Sequence, residues 1–149
     1  MNILFVCTGN TCRSPMAEGY LRYLLKRNGI EGINVSSAGT FAAEGIPPSS
    51  HSVQVMQETG IDISGTSSTQ ITPALVNDAD LVIAMTPSHK HDIPAMSPPA
   101  EDKVKLLGEY SDGTPISDPF GGNIEIYRQC FASIKKAIEN LFEDIAEKN

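Results

Sequence analysis

Long apolar runs are missing from this 149-residue chain. Segments such as Ile3-Leu4-Phe5-Val6 and Leu81-Val82-Ile83-Ala84 are far shorter than the roughly 20 residues a membrane span needs. A secretory leader is not indicated either, because MNILFVC lacks a basic segment and its apolar run is too short. Positive charge is scarce: 11 Lys and Arg stand against 18 Asp and Glu, a formal net charge of -7. That balance argues against a nucleic-acid or anionic-membrane binder, and it means that any anionic ligand must be held locally against the overall field. The three cysteines are too few, and odd in number, for a disulfide framework; free thiols in a reducing compartment are their natural reading. No internal repeat, low-complexity tract or linker is visible. The expectation is one cytosolic domain spanning residues 1–149, large enough to bury a core without disulfide staples.

What is present alternates between short apolar runs and helical patterns. Ile3–Val6 and Leu81–Ala84 read as strands covered on both faces, with Ile33–Val35 and Val104–Leu106 as weaker candidates. After the first run, Ser14 can cap a helix whose first position is Pro15; Ala17, Tyr20, Leu21, Leu24 and Leu25 recur at helical spacing until Asn28-Gly29. The last segment is the clearest helix. Asn123 can cap it, and Ile124, Tyr127, Phe131, Ile134, Ile138, Leu141 and Ile145 follow in steps of three and four. Further helices are expected from Ser50 to Thr59, from Thr72 to Asp78 and near Ser88 to Ala95. Pro98-Pro99 reads as a turn, and Gly108 to Gly122 as a long loop with a turn at Asp112-Gly113. The β-α-β-α order implies an α/β fold: a four-stranded, parallel, doubly wound sheet with helices on both faces.

Ligands of such sheets bind beyond the carboxyl ends of the strands. There, after the first strand, stands FVCTGNTCRSP, Phe5 to Pro15. Backbone N–H groups from about Thr8 through Gly9, Asn10, Thr11 and Cys12 to Ser14 run into a helix N-terminus, where free donors and the helix dipole favour an anion. The loop is therefore expected to bind phosphate. It is not a nucleotide P-loop, for no Gly-Lys-Ser/Thr follows, and the G-x-G-x-x-G of dinucleotide sites is absent. It carries Cys7 at its entrance and Arg13 at its far end instead. A helix N-terminus and a guanidinium favour the thiolate form of a neighbouring cysteine. The planar fork of Arg13 matches two phosphate oxygens and can follow them as the phosphoryl group transfers. Ser14 can donate to the Cys7 sulfur or merely cap the helix, and its spacing leaves both open.

VCTGNTCRSPMAE resembles the signature of the low-molecular-weight protein tyrosine phosphatases, and DPFGG, Asp118 to Gly122, resembles their general-acid segment. SAGT at Ser37–Thr40 and ADLVIAMT at Ala79–Thr86 extend the likeness over nearly the whole chain. Thr11 and Phe120 place it nearest the bacterial protein-arginine-phosphatase branch, since tyrosine-directed members commonly carry a bulkier aliphatic residue and a tyrosine or tryptophan there. The resemblance implies a phosphocysteine mechanism without metal or other cofactor, with Cys7 as nucleophile and Asp118 as acid and then base. Asn10 would brace the loop. Cys12 would be either a redox partner of Cys7, forming a protective disulfide, or an innocent core residue. The substrates implied are phosphorylated proteins, on arginine first and tyrosine second, with inorganic phosphate as product.

Parallel topology explains how Asp118 can take part: the loop after the last strand emerges on the same edge as the loop after the first, and if one strand intervenes the gap between them is about 10 Å. Thioredoxin-coupled arsenate reductases share the cysteine loop but relay a disulfide through a downstream cysteine pair, whereas here only Cys130 remains, read as a core residue of the last helix. His51, His89 and His91 are scattered over helix starts and loops, with no further ligand nearby to suggest a metal site. The methionines read as core filler.

Overall fold

The computed structural model describes residues 1–148. Along the chain run β1 (Asn2–Cys7), α1 (Arg13–Arg27), β2 (Asn34–Gly39), α2 (Ser50–Glu58), α3 (Pro73–Asp78), β3 (Leu81–Ala84), α4 (Pro87–Met96), β4 (Val104–Leu106) and α5 (Ile124–Glu147). Two short 3-10 segments, Pro98–Lys103 and Leu107–Tyr110, flank β4. The strands form one sheet in the order β2-β1-β3-β4, and every pairing is parallel. The chain leaves β1 for β2 on one side and later returns to place β3 on the other, so strand order reverses at β1 and opens a crevice beyond its carboxyl end.

Alternate residues of β1 face opposite sides, as the pleat requires. Ile3, Phe5 and Cys7 pack against Met16, Leu21, Ile134 and Ile138, the inner faces of α1 and α5, whereas Leu4 and Val6 pack with Val76, Val82 and Ile93 on the side of α3 and α4. Helices thus cover both faces, as the sequence pattern implies. Tyr20 and Phe131 meet edge to face at 5.6 Å between the two long helices, and the Tyr20 hydroxyl donates to Glu139 at 2.8 Å.

Three local expectations need correction. β2 begins at Asn34 and runs through the polar Ser36 and Ser37 to Gly39; as an edge strand it has no need of the apolar run that marks a central one. The turn expected at Pro98-Pro99 extends into a 3-10 segment, Pro98–Lys103. α1 starts at Arg13, two residues earlier than expected, and Cys12 takes the capping position without a side-chain bond. Ser14 is thereby inside the helix, and its hydroxyl is used elsewhere.

Candidate active site

β1 ends at Cys7, and the next five residues form a loop before α1 begins. Asn10, at φ 58°, is the sole non-glycine residue with positive φ among the described residues, a conformation asparagine tolerates better than most. Its amide orientation is settled by its partners. Oδ1 accepts the Thr69 backbone N–H at 2.8 Å, so Nδ2 donates to Ser14 Oγ at 2.7 Å and Ser37 Oγ at 2.9 Å. Ser37 in turn donates to the buried Glu18 carboxylate at 2.5 Å, which is also paired with Arg22 at 2.7 Å. Having accepted from Asn10, the Ser14 hydroxyl is free to direct its own proton to Cys7 Sγ, 2.9 Å away. Of its two readings the structure favours the partner of the sulfur, since Cys12 and not Ser14 holds the capping position.

The loop is clasped from outside by the segment after β2. Thr40 and Phe41 donate backbone N–H groups to the Cys7 and Thr8 carbonyls, each at 2.9 Å, and Ser49 donates to the Thr11 carbonyl at 2.9 Å. So close an approach requires a glycine: a Cβ at Gly39 would lie 2.4 Å from the Thr8 carbonyl oxygen. This gives SAGT a physical reason that the sequence alone did not supply.

Arg13 is buried, with Nη1 donating to the Ile116 carbonyl at 3.0 Å and Nη2 reaching Thr8 Oγ1 at 3.5 Å. Its Nε is buried without a hydrogen-bond partner. Buried donors are nearly always satisfied, so an unused N–H on a residue lining the cleft suits an arriving oxyanion. The loop that carries Asp118 is held in place by the same arginine. Ile116 donates to the Met85 carbonyl just past β3 at 3.0 Å, accepts from Arg13, and leaves an Asp118 oxygen 3.7 Å from Arg13 Nη2. One strand, β3, separates β1 from β4, as the topology argument required. Asp118 is half exposed, and its other oxygen accepts the Phe120 N–H at 3.0 Å.

Cys7, Thr8, Gly9, Thr11, Cys12, Arg13, Asp118 and Phe120 together line one cleft of about 500 Å³, closed on one side by Phe41. Asn10 and Ser14 lie behind it, buried, as supports rather than lining. Cys7 and Cys12 are both free thiols. Cys12 donates to Ser49 Oγ at 3.6 Å and lies 3.4 Å from the Tyr127 hydroxyl, which burial and this contact push up to about 12. Cys130 is half-buried against the core, and burial pushes its thiol up to about 12.

Two participants were not foreseen. His89, 4% exposed at the start of α4, bonds Thr8 Oγ1 through Nε2 at 2.8 Å and Thr86 Oγ1 through Nδ1 at 3.0 Å. Burial, then the Arg13 guanidinium, holds it below the usual histidine value, which suits a neutral ring that donates at one end and accepts at the other. Tyr127, read only as part of the helical stripe, contacts Cys12 and meets His51 edge to face at 5.0 Å. The one sequence hint for His89 was its position just past the carboxyl end of β3.

A thiol 2.9 Å from a serine hydroxyl, a loop that runs into a helix start, a buried guanidinium and a carboxylate lining the same cleft form a unit suited to phosphoryl transfer. Residues 2–149 match the family described as low molecular weight phosphotyrosine protein phosphatase. The chain belongs to this family. The phosphatase is 45% identical to a protein-arginine-phosphatase of Geobacillus stearothermophilus, covering 98% of this chain and 94% of that protein. It is 41% identical to the protein-arginine-phosphatase of Bacillus subtilis (strain 168), covering 97% of each. Among solved structures, a YwlE arginine phosphatase, a cysteine-to-serine mutant with a phosphorylated active-site serine, superposes with a TM-score of 0.92 at 39% identity, covering 98% of this chain and 96% of that one.

Proposed function

We propose that this phosphatase hydrolyses phosphoarginine residues in proteins. In the first step the Cys7 thiolate attacks phosphorus, the phosphorus–nitrogen bond breaks, and Asp118 delivers a proton to the departing guanidino nitrogen. The Thr8–Ser14 N–H groups and Arg13 hold the three equatorial oxygens as charge spreads over them. In the second step the Asp118 carboxylate takes a proton from water, the water oxygen bonds to phosphorus, and Cys7 leaves as thiolate with inorganic phosphate as product. The Ser14 hydrogen bond serves Cys7 in both roles, stabilising its charge before attack and after departure.

The observation that carries the choice of arginine is that Thr11, Phe120 and Asp118 line the same cleft above Cys7. A short side chain with one hydroxyl leaves room for guanidino nitrogens, the carboxylate accepts their N–H bonds, and Phe120 supplies one apolar wall. An aromatic ring has no N–H to offer either polar group. Thr11→Ile adds apolar bulk and deletes the hydroxyl, and a site built around a hydrogen bond discriminates strongly when that bond is lost. Rates on phosphoarginine and phosphotyrosine substrates, measured side by side, should favour arginine in the wild type. The ratio should fall by about tenfold or more in Thr11→Ile. A wild type that prefers phosphotyrosine returns the assignment to tyrosine, and a ratio that Thr11→Ile leaves unchanged removes Thr11 as the cause of the preference.

A further inference from the structure

Apart from Met1, the large apolar side chains exposed among the described residues are Phe41 (86%), Ile46 (46%), Phe120 (79%) and Ile126 (45%). Singly exposed apolar residues are ordinary and need no explanation, but a contiguous group marks a contact surface. These four are not scattered. Phe41 and Phe120 line the catalytic cleft. Phe120 and Thr11 also line a second hollow of about 390 Å³ together with Ile46, Pro47 and His51, and Ile126 lines a third that shares Asp118 with the cleft. The apolar positions therefore ring the cleft on the loop after β2, the loop leading into α5 and the first turn of α5 itself.

Charge is arranged to match. In a chain with 18 carboxylate side chains, the residues lining these three adjoining hollows include one carboxylate, Asp118, and one permanent cation, Arg13. The ring is uncharged and does not repel an anionic partner, although the molecule as a whole does. We infer that this apolar ring docks the polypeptide on either side of the phosphorylated residue, so that the enzyme recognises a protein chain and not only a phosphorylated side chain. The second hollow, reached from the cleft across Thr11 and Phe120, receives one flanking segment through contact with Ile46, and Ile126 supports the chain on the other side. The inference rests on the phosphoprotein phosphatase reading and adds where the protein binds.

Ile46 and Ile126 test it, because neither lines the catalytic cleft. Ile46 is fixed by backbone bonds with Ser68, and Ile126 by its N–H to Asn123, so loss of either side chain leaves those bonds in place. The measurement is KM and kcat for Ile46→Ser, the milder Ile46→Thr and Ile126→Ser on an arginine-phosphorylated protein and on p-nitrophenyl phosphate. Each serine substitution should raise KM for the protein by about threefold or more and the pair together by about tenfold, as expected for losing half-exposed apolar contacts. Constants for the small phosphate should stay at wild-type values, which also reports an intact fold. Equal constants on the protein for variants and wild type would overturn the inference. So would a wild type that sediments as a dimer dissociated by Ile46→Ser with protein KM unchanged, since the ring would then cover a second copy. If the wild type leaves arginine-phosphorylated protein untouched, the arginine reading fails, and the same comparison on a tyrosine-phosphorylated protein decides the docking surface by the same criteria.

Discussion

Three thiols in one small molecule differ in what surrounds them. Cys7 receives the Ser14 hydroxyl at 2.9 Å in the cleft, Cys12 lines the same cleft against Tyr127, and Cys130 is held protonated by burial. Since the thiolate is the form that peroxide oxidises, Cys7 should be the first oxidised. Mild peroxide should abolish activity, reductant should restore it through a Cys7–Cys12 disulfide, and Cys12→Ser should lose that recovery. Cys130→Ser should change neither, as mass-spectrometric mapping of the oxidised protein would report. A link from Cys7 to Cys130, or equal recovery with Cys12 replaced, would contradict this division of roles. The two readings of Ser14 and of Cys12 left open by sequence show where local pattern stops. A serine at a helix start can serve either neighbour, and only the bond from Asn10, itself oriented by the distant Thr69 N–H, decides which.

At the level of elements, the site is assembled where β1, β2, β3 and the loop after β4 end together, and α4 adds His89 to it. Depressed by burial and by Arg13, with Asp92 and Asp118 pulling the other way, His89 binds a proton less readily in the folded chain than its usual 6.5 would give. The unfolded chain therefore holds more protons just below that value, so stability is full above it and falls as pH drops through the window. His89→Gln keeps a side chain that can donate and accept but removes the titration. Denaturant midpoints measured from about pH 7 to about pH 5 should fall less in the variant than in the wild type. Equal falls would mean that His89 is not the group responsible. The phosphate loop was legible because its parts lie within one turn of strand and helix. His89 and Gly39 were not, because their reasons lie across the sheet: a bond from α4 to Thr8, and the 2.4 Å gap that a side chain on β2 would leave to the Thr8 carbonyl.

For the molecule as a whole, sheet topology does most of the work that motif reading cannot. Asp118 stands more than a hundred positions after Cys7 in the sequence, and only the order β2-β1-β3-β4 explains why the two line one cleft. The parallel, doubly wound sheet could be anticipated from alternating strands and helices, but its strand order could not, nor could the ring of exposed apolar residues around the cleft, since exposure is a property of the folded surface. The net charge of -7 opposes phosphoproteins at long range, so binding depends on the loop donors, Arg13 and the uncharged surroundings of the cleft. The central claim is that a phosphoryl group passes from arginine to Cys7 and then to water. Its most direct test is to quench the enzyme within a turnover of an arginine-phosphorylated protein and map the phosphoryl group by mass spectrometry. The account predicts a phosphoryl group on Cys7 that vanishes when substrate is exhausted and never forms on Cys7 replaced by alanine. Turnover with no phosphoenzyme at any time, or with the group on another side chain, would contradict it.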